Sequence, residues 1–144
     1  MENYLALFAR DKEAGGYVVT FPDFGYGATQ GETDHEAIEM ARDLLTLTIG
    51  DYIRDGKPLP IASHRRGPRY RTVPLSILQS AKVDLHSAFV CSGVKKAELA
   101  RRIGIPKTHI DRLFSLRHRT RFDRIEAAFV ALGKRLTIEV RDAA

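Results

Sequence analysis

The chain has one cysteine, Cys91, so no disulfide can form within it, and a reducing, intracellular setting is expected. Long apolar runs are absent. None approaches the roughly 20 residues of a membrane helix. The apolar stretch Tyr4 to Ala9 is too short for a signal-peptide core and has no basic region before it. A cytoplasmic protein with no membrane partner is the expectation. Metal-ligand spacing is also lacking: His35, His64, His86, His109 and His118 are scattered. There is no phosphate-cradling glycine loop, since Gly25-Tyr26-Gly27 alone is too little. Cys91 lies in no nucleophile motif and reads as a half-buried helix residue. Glu32, Asp34, Glu36, Glu39 and Asp43 gather at the start of a predicted helix, where negative charge is favoured without a metal. No catalytic residue, no metal and no cofactor is expected.

The 144 residues, 44% apolar and 28% charged, suit one ordinary domain or two small ones. Charge is unevenly placed. Residues 1–62 hold five Lys/Arg and eleven Asp/Glu, a net of −6, while residues 63–144 hold eighteen and seven, a net of +11. The basic half points toward nucleic acid. The acidic half suits either a basic protein partner or a well-solvated surface.

Hydropathy patterning predicts strands at Tyr4 to Ala9, Gly16 to Phe21 and Tyr26 to Thr29, with a hairpin turn over Asp11 to Gly16. Thr33-Asp34-His35-Glu36 reads as a capping box. It opens an amphipathic helix that runs to about Arg54 and stops near Gly56 and Pro58. Residues 56–69 form a Pro/Gly/Arg-rich linker. Tyr70 to Val73 is a fourth strand, expected to return to the first sheet because a lone strand is unstable. Leu75 to Val90 is a second amphipathic helix. Helical stretches follow at about 95–103, 106–115 and 121–133, and Leu136 to Val140 alternates like a half-buried strand. The expected domains are 1–74 and 75–144.

The segment Lys96 to Ser115 carries a mechanism. Leu99, Ile103, Ile110 and Leu113 fall on inward positions, and Ala100 allows two helices to cross closely. Gly104 sits where a tight turn needs positive φ, Ile105 plugs the space beneath it, and Pro106 opens the next helix. This is the pattern of a helix-turn-helix. Lys107, Thr108 and His109 occupy the N-terminal end of the recognition helix, with Arg112 one turn on, as base-facing residues do. Arg101, Arg102, Arg117, Arg119 and Arg121 read as phosphate contacts.

Gly15-Gly16-Tyr17-Val18-Val19-Thr20-Phe21-Pro22-Asp23-Phe24, then Thr29 to Thr33 and Glu36 to Ala41, resembles the N-terminal domain of HicB antitoxins. Glu98 to Gly104 with Asp111-Arg112-Leu113-Phe114 resembles the helix-turn-helix of one HicB subgroup. The resemblance spans nearly the whole chain. It implies an α+β protein: an N-terminal partial RNase-H-like antiparallel sheet with one helix, then a C-terminal all-α helix-turn-helix domain with a short terminal strand. It also implies a partner, the small basic mRNA-cleaving HicA-type toxin, whose active site the antitoxin masks. The toxin-binding candidates in and beside these motifs are Tyr17, Phe21, Asp23, Phe24 and Glu32. The first strand carries no carboxylate, so RNase H chemistry, which needs several around metal ions, is not expected. The second domain would repress its own operon on palindromic operator double-stranded DNA as a homodimer or tetramer, with the last helix and the 136–140 strand as dimer elements. Two rivals stand: a stand-alone repressor with a ligand-sensing first domain, and a small nuclease.

Overall fold

The computed structural model describes residues 3–143. The chain divides into two compact units that meet between Ser80 and Ala81. The division falls inside a helix, beyond the expected cut after Pro74.

The first unit is a four-stranded antiparallel sheet with one long helix, α1. Its strands are β1 (Leu5–Arg10), β2 (Tyr17–Thr20), β3 (Ala28–Gly31) and β4 (Tyr70–Thr72), in the order β3-β2-β1-β4. The β1–β2 hairpin places Phe8 opposite Val19 and Arg10 opposite Tyr17. Its turn is held by Asp11, whose carboxylate accepts from the backbone N–H of Glu13 (2.9 Å) and Ala14 (3.1 Å). Those two bonds lower the Asp11 pKa below the usual carboxylate value. β4 does return to the sheet, pairing Leu5 with Thr72 and Leu7 with Tyr70. Ala6, Phe8 and Val19 are buried, while Leu5, Leu7, Ala9 and Val18, on the other side of the pleat, are only half-buried.

α1 runs Asp34–Arg54. Thr33 Oγ1 accepts from Glu36 N–H (3.1 Å), as the capping box predicts, but the Glu36 carboxylate reaches back to Glu32 N–H (2.8 Å). Ala37, Ala41, Leu45, Ile49 and Ile53 recur every four residues and are all buried, the stripe a helix needs to lie on a sheet. The first turn sits very close to β3. A Cβ built on Gly31 would stand 2.4 Å from Ala37 N, and one on Gly16, which has φ +75, would stand 2.3 Å from Gly31 O. These two glycines let sheet and helix start meet.

Residues 57–69 belong to the first unit as well. Tyr4 donates its hydroxyl to Pro60 O (2.7 Å), the Ser63 N–H donates to Asp23 Oδ2 (3.1 Å), and Ser63 Oγ donates to Asp23 Oδ1. The stretch read as a linker is thus bonded down at Pro60 and Ser63.

The second unit takes in most of α2 (Ile77–Ser92), then α3 (Lys96–Ile103), a 3-10 turn (Lys107–His109), α4 (Ile110–Phe114) and α5 (Phe122–Ala131). Its core joins Leu85, Leu99, Leu113, Phe114, Ile125 and Phe129. Phe114 packs its ring 5.0 Å from Phe89 and edge-on to His86. Cys91, expected half-buried, is exposed near the end of α2.

The expected terminal strand is not formed. Leu136 to Val140 has no ladder partner among the described residues, and Ile138 and Val140 are 57% and 93% exposed. Alternation marks a segment able to pair, but a strand also needs a hydrogen-bonded neighbour, and the four-stranded sheet lies in the other unit.

Candidate functional site

α3 and the helical stretch after it form a tight pair. Gly104 adopts φ 71 in the left-handed region, where a side chain would be strained. The turn closes with Gly104 N–H to Arg101 O (3.3 Å) and Ile105 N–H to Ala100 O (3.0 Å). Leu99, Ala100, Ile110 and Leu113 are buried as predicted, and Ile103 and Ile105 half-buried. Lys96 Nζ bonds Asp111 Oδ1 at 2.6 Å and ties the start of α3 to α4. The expected single helix from Pro106 opens instead as a 3-10 turn, leaving an α-helix of five residues. Pro106 holds an extended ψ of 140 and so stands before the first helical residue.

This pair exposes Lys107, Thr108, His109 and Arg112, and the arch that follows exposes Arg117, Arg119 and Arg121. Arg101 and Arg102 are exposed on α3. Their electrostatic states differ. Glu98 accepts from Arg101 (2.6 and 2.9 Å) and from Arg102 (3.0 Å). Those bonds hold the Glu98 carboxyl down at about 2. Arg102 also donates to Ala131 O (3.0 Å), and Arg121 pairs with Asp123 (2.8 Å). Among the described residues no ion pair engages Lys107, Arg112, Arg117 or Arg119. Those four cations are open to an anionic ligand.

The toxin-binding candidates do not form one surface. Phe21 and Phe24 are 2% and 6% exposed and serve the core of the first unit; Phe24 packs against Tyr4 and Tyr52. The Asp23 side chain is 5% exposed and is occupied by Ser63 and, at 3.7 Å, by Arg65. These three hold structure and offer little to a partner. Tyr17 and Glu32 keep accessible surface. Tyr17 lies in an open pocket of about 390 Å³ lined by Phe8, Arg10, Lys12, Arg69 and Arg71 among others. Arg71 stacks 4.6 Å from the Phe8 ring centre and pairs with Asp34.

Of the acidic residues at the start of α1, Asp34 pairs with Arg71, Glu36 caps, and Glu39 binds Arg42 at 2.9 Å. No three His, Cys, Asp or Glu side chains among the described residues group as a metal site would. Among the described residues no helix is long and apolar enough to cross a membrane.

Sequence reasoning missed Lys82. It is 0% exposed on α2 and donates to three backbone carbonyls. A signal was available: Leu78, Lys82, Leu85 and Phe89 follow the four-three-four spacing of an apolar stripe.

The family model described as HicB-like antitoxin of bacterial toxin–antitoxin systems matches residues 3–84. "Antitoxin HicB" of Escherichia coli K12 is 44% identical over 128 residues, covering 86% of this chain and 89% of that protein. The chain belongs to the HicB-like antitoxins. "Antitoxin HicB 1" of Photorhabdus laumondii is 39% identical over 89% of this chain and 81% of its own length. "Antitoxin HicB" of Pseudomonas fluorescens is 33% identical over 78% and 77%. For this HicB-like antitoxin the similarity extends well past residue 84 into the helical unit.

Proposed function

We propose that this HicB-like antitoxin uses its two units for two partners. The sheet unit binds a HicA-type mRNA-cleaving toxin and masks its active site. The helical unit binds operator DNA of its own operon as a helix-turn-helix and represses transcription. Neither task needs a reaction on the antitoxin: masking is steric, and repression is occupancy.

The observation that carries the DNA half is the set of unneutralised cations on one helical pair. Lys107 and Arg112 stand on the second element of the pair, with Arg117 and Arg119 just beyond it. An element docked in a major groove presents its N-terminal residues to base edges, while flanking cations meet phosphates. Two copies would read a palindrome. The unpaired alternating segment Leu136 to Val140 suits pairing with a second copy.

Arg112→Ala should weaken binding to the DNA upstream of its own gene more than binding to random duplex, with about 1–3 kcal/mol lost from discrimination. Arg119→Ala should weaken both similarly. Fluorescence anisotropy on both duplexes at fixed salt reads the difference; equal losses for Arg112→Ala would remove it from base readout. Co-expression with the adjacent toxin-sized reading frame tests the other half. Failure to protect the cell would favour a stand-alone repressor.

A further inference from the structure

Lys82 places a charge where the helix pattern asks for an apolar side chain. It is fully buried on α2, and its ammonium is held by backbone carbonyls. Nζ donates to Arg112 O (3.0 Å), Ser115 O (2.7 Å) and His118 O (2.6 Å). Three N–H groups meet three acceptors. Burial pushes the ammonium down to about 8, while the carbonyls, which favour the charged form, act against that push.

The three carbonyls are consecutive stations of one path. Arg112 lies on α4, Ser115 caps its C-terminus, and His118 stands in the arch leading to α5. Carbonyls at a helix C-terminus lack intrahelical donors, and a lysine there can satisfy them. Further bonds tighten the path: Thr120 Oγ1 donates to Arg112 O (3.0 Å) and His118 N–H to Ser115 O (3.2 Å). Leu116 is buried, while Arg117 and Arg119 are exposed. The arch is thus wrapped around a single nitrogen, with its cations outside.

We propose that Lys82 is a positioning residue for DNA binding, its ammonium setting the spacing between base-facing Arg112 and phosphate-facing Arg117 and Arg119. The proposal rests on the DNA-binding reading of the helical unit. Phosphate contacts fix the register in which bases are read, so the arch must hold its shape before DNA arrives. An arch left loose would have to be ordered on binding, at the expense of affinity.

The test uses the full chain with Lys82→Met, which keeps an unbranched chain as far as Cε and removes every donor, and Lys82→Gln, which retains two. The probe is a mixed-sequence DNA duplex, titrated from about 50 to 200 mM salt. Loss of the Arg117 and Arg119 contacts should flatten the slope of log affinity against log salt by about two. Lys82→Met should show this loss, with Lys82→Gln between it and the parent. Amide hydrogen exchange read in parallel should speed at His118 in Lys82→Met and stay unchanged in β1 and β2. Should Lys82→Met unfold the helical unit, Lys82→Gln carries the comparison. A folded variant with a loosened arch and an unchanged salt slope overturns the proposal alone. An arch as protected as in the parent overturns it too. A parent protein that binds no duplex at any salt overturns it together with the DNA-binding reading.

Discussion

Gly31→Ala should be among the most damaging single-methyl changes in the sheet unit. Gly31 ends β3, faces Tyr17 across the ladder and is fully covered by the first turn of α1. The added Cβ would stand 2.4 Å from Ala37 N, 2.6 Å from Ala37 Cα and 2.9 Å from Glu36 C. All three neighbours are backbone atoms of a capped helix, so no side chain can rotate away. Overpacking typically costs about 1–3 kcal/mol, and a clash with backbone belongs at the upper end. For a unit of this size, about 3 kcal/mol corresponds to a fall of roughly 12–24 °C in melting temperature. Gly15→Ala is the control. Gly15 has φ +76 but nothing within 4 Å of the added Cβ, so it carries left-handed strain alone, about 1–2 kcal/mol. Scanning calorimetry of the full chain compares the two. If Gly31→Ala melts no lower than Gly15→Ala, the close approach of helix and sheet does not limit this unit's stability.

Other outcomes follow from the same geometry. A fragment ending near Gly67 should fold poorly because it lacks β4, while one ending at Ser80 should fold and still inhibit the toxin; circular dichroism and co-expression check both. Glu98, held at about 2 against an ordinary 4.5, should contribute stability above pH 4.5 that is lost as pH falls toward 2. Glu98→Gln should flatten that acid limb in a melting series and, by freeing Arg101 and Arg102, raise affinity for random duplex a few-fold in anisotropy. The phosphate contacts of Arg117 and Arg119 alone should make duplex binding fall about tenfold from 50 to 200 mM salt; in stopped flow, toxin association should slow only slightly over that range.

What the sequence made legible was local. The Thr33 cap, the Gly104 turn and the buried face of α1 each depend on residues within one or two turns, and each formed, although Glu36 reaches back to Glu32 and not to Thr33. β4 was placed correctly because an isolated strand is unstable. The misplacements are long-range. Asp23 looks like a loop carboxylate until Ser63, forty residues on, donates to it. Phe21 and Phe24 sit in a distinctive motif, but the motif serves the core. Lys82 falls on the apolar stripe of α2, but its acceptors lie 30 to 36 residues away, where no local pattern reaches. Leu136 to Val140 has the pattern of a strand, but pattern does not supply a partner.

The charge asymmetry shows the same limit and changes the argument about partners. Counted to residue 62, the first part of the chain is −6. The fold draws Arg65, Arg66, Arg69 and Arg71 into the sheet unit, so residues 1–80 hold nine Lys/Arg and eleven Asp/Glu, only −2. Two of those arginines meet acids directly, Arg65 at Asp23 and Arg71 at Asp34. Beside Tyr17 the surface is basic, with Arg10, Lys12 and Arg69 around the pocket. A net of −2 that is already partly paired gives a weak field beyond the Debye length of about 8–10 Å, so it can do little to steer a basic toxin. Residues 81–144 hold fourteen Lys/Arg and seven Asp/Glu, +7, and leave four site cations unpaired. Long-range attraction therefore belongs to the helical unit, as the proposed DNA-binding role requires. On the proposed reading, toxin binding by the sheet unit has to draw on shape and apolar contact instead, as buried centres of interfaces usually do. The half-covered Leu5, Leu7, Ala9 and Val18 of the sheet are better placed to supply that than any carboxylate.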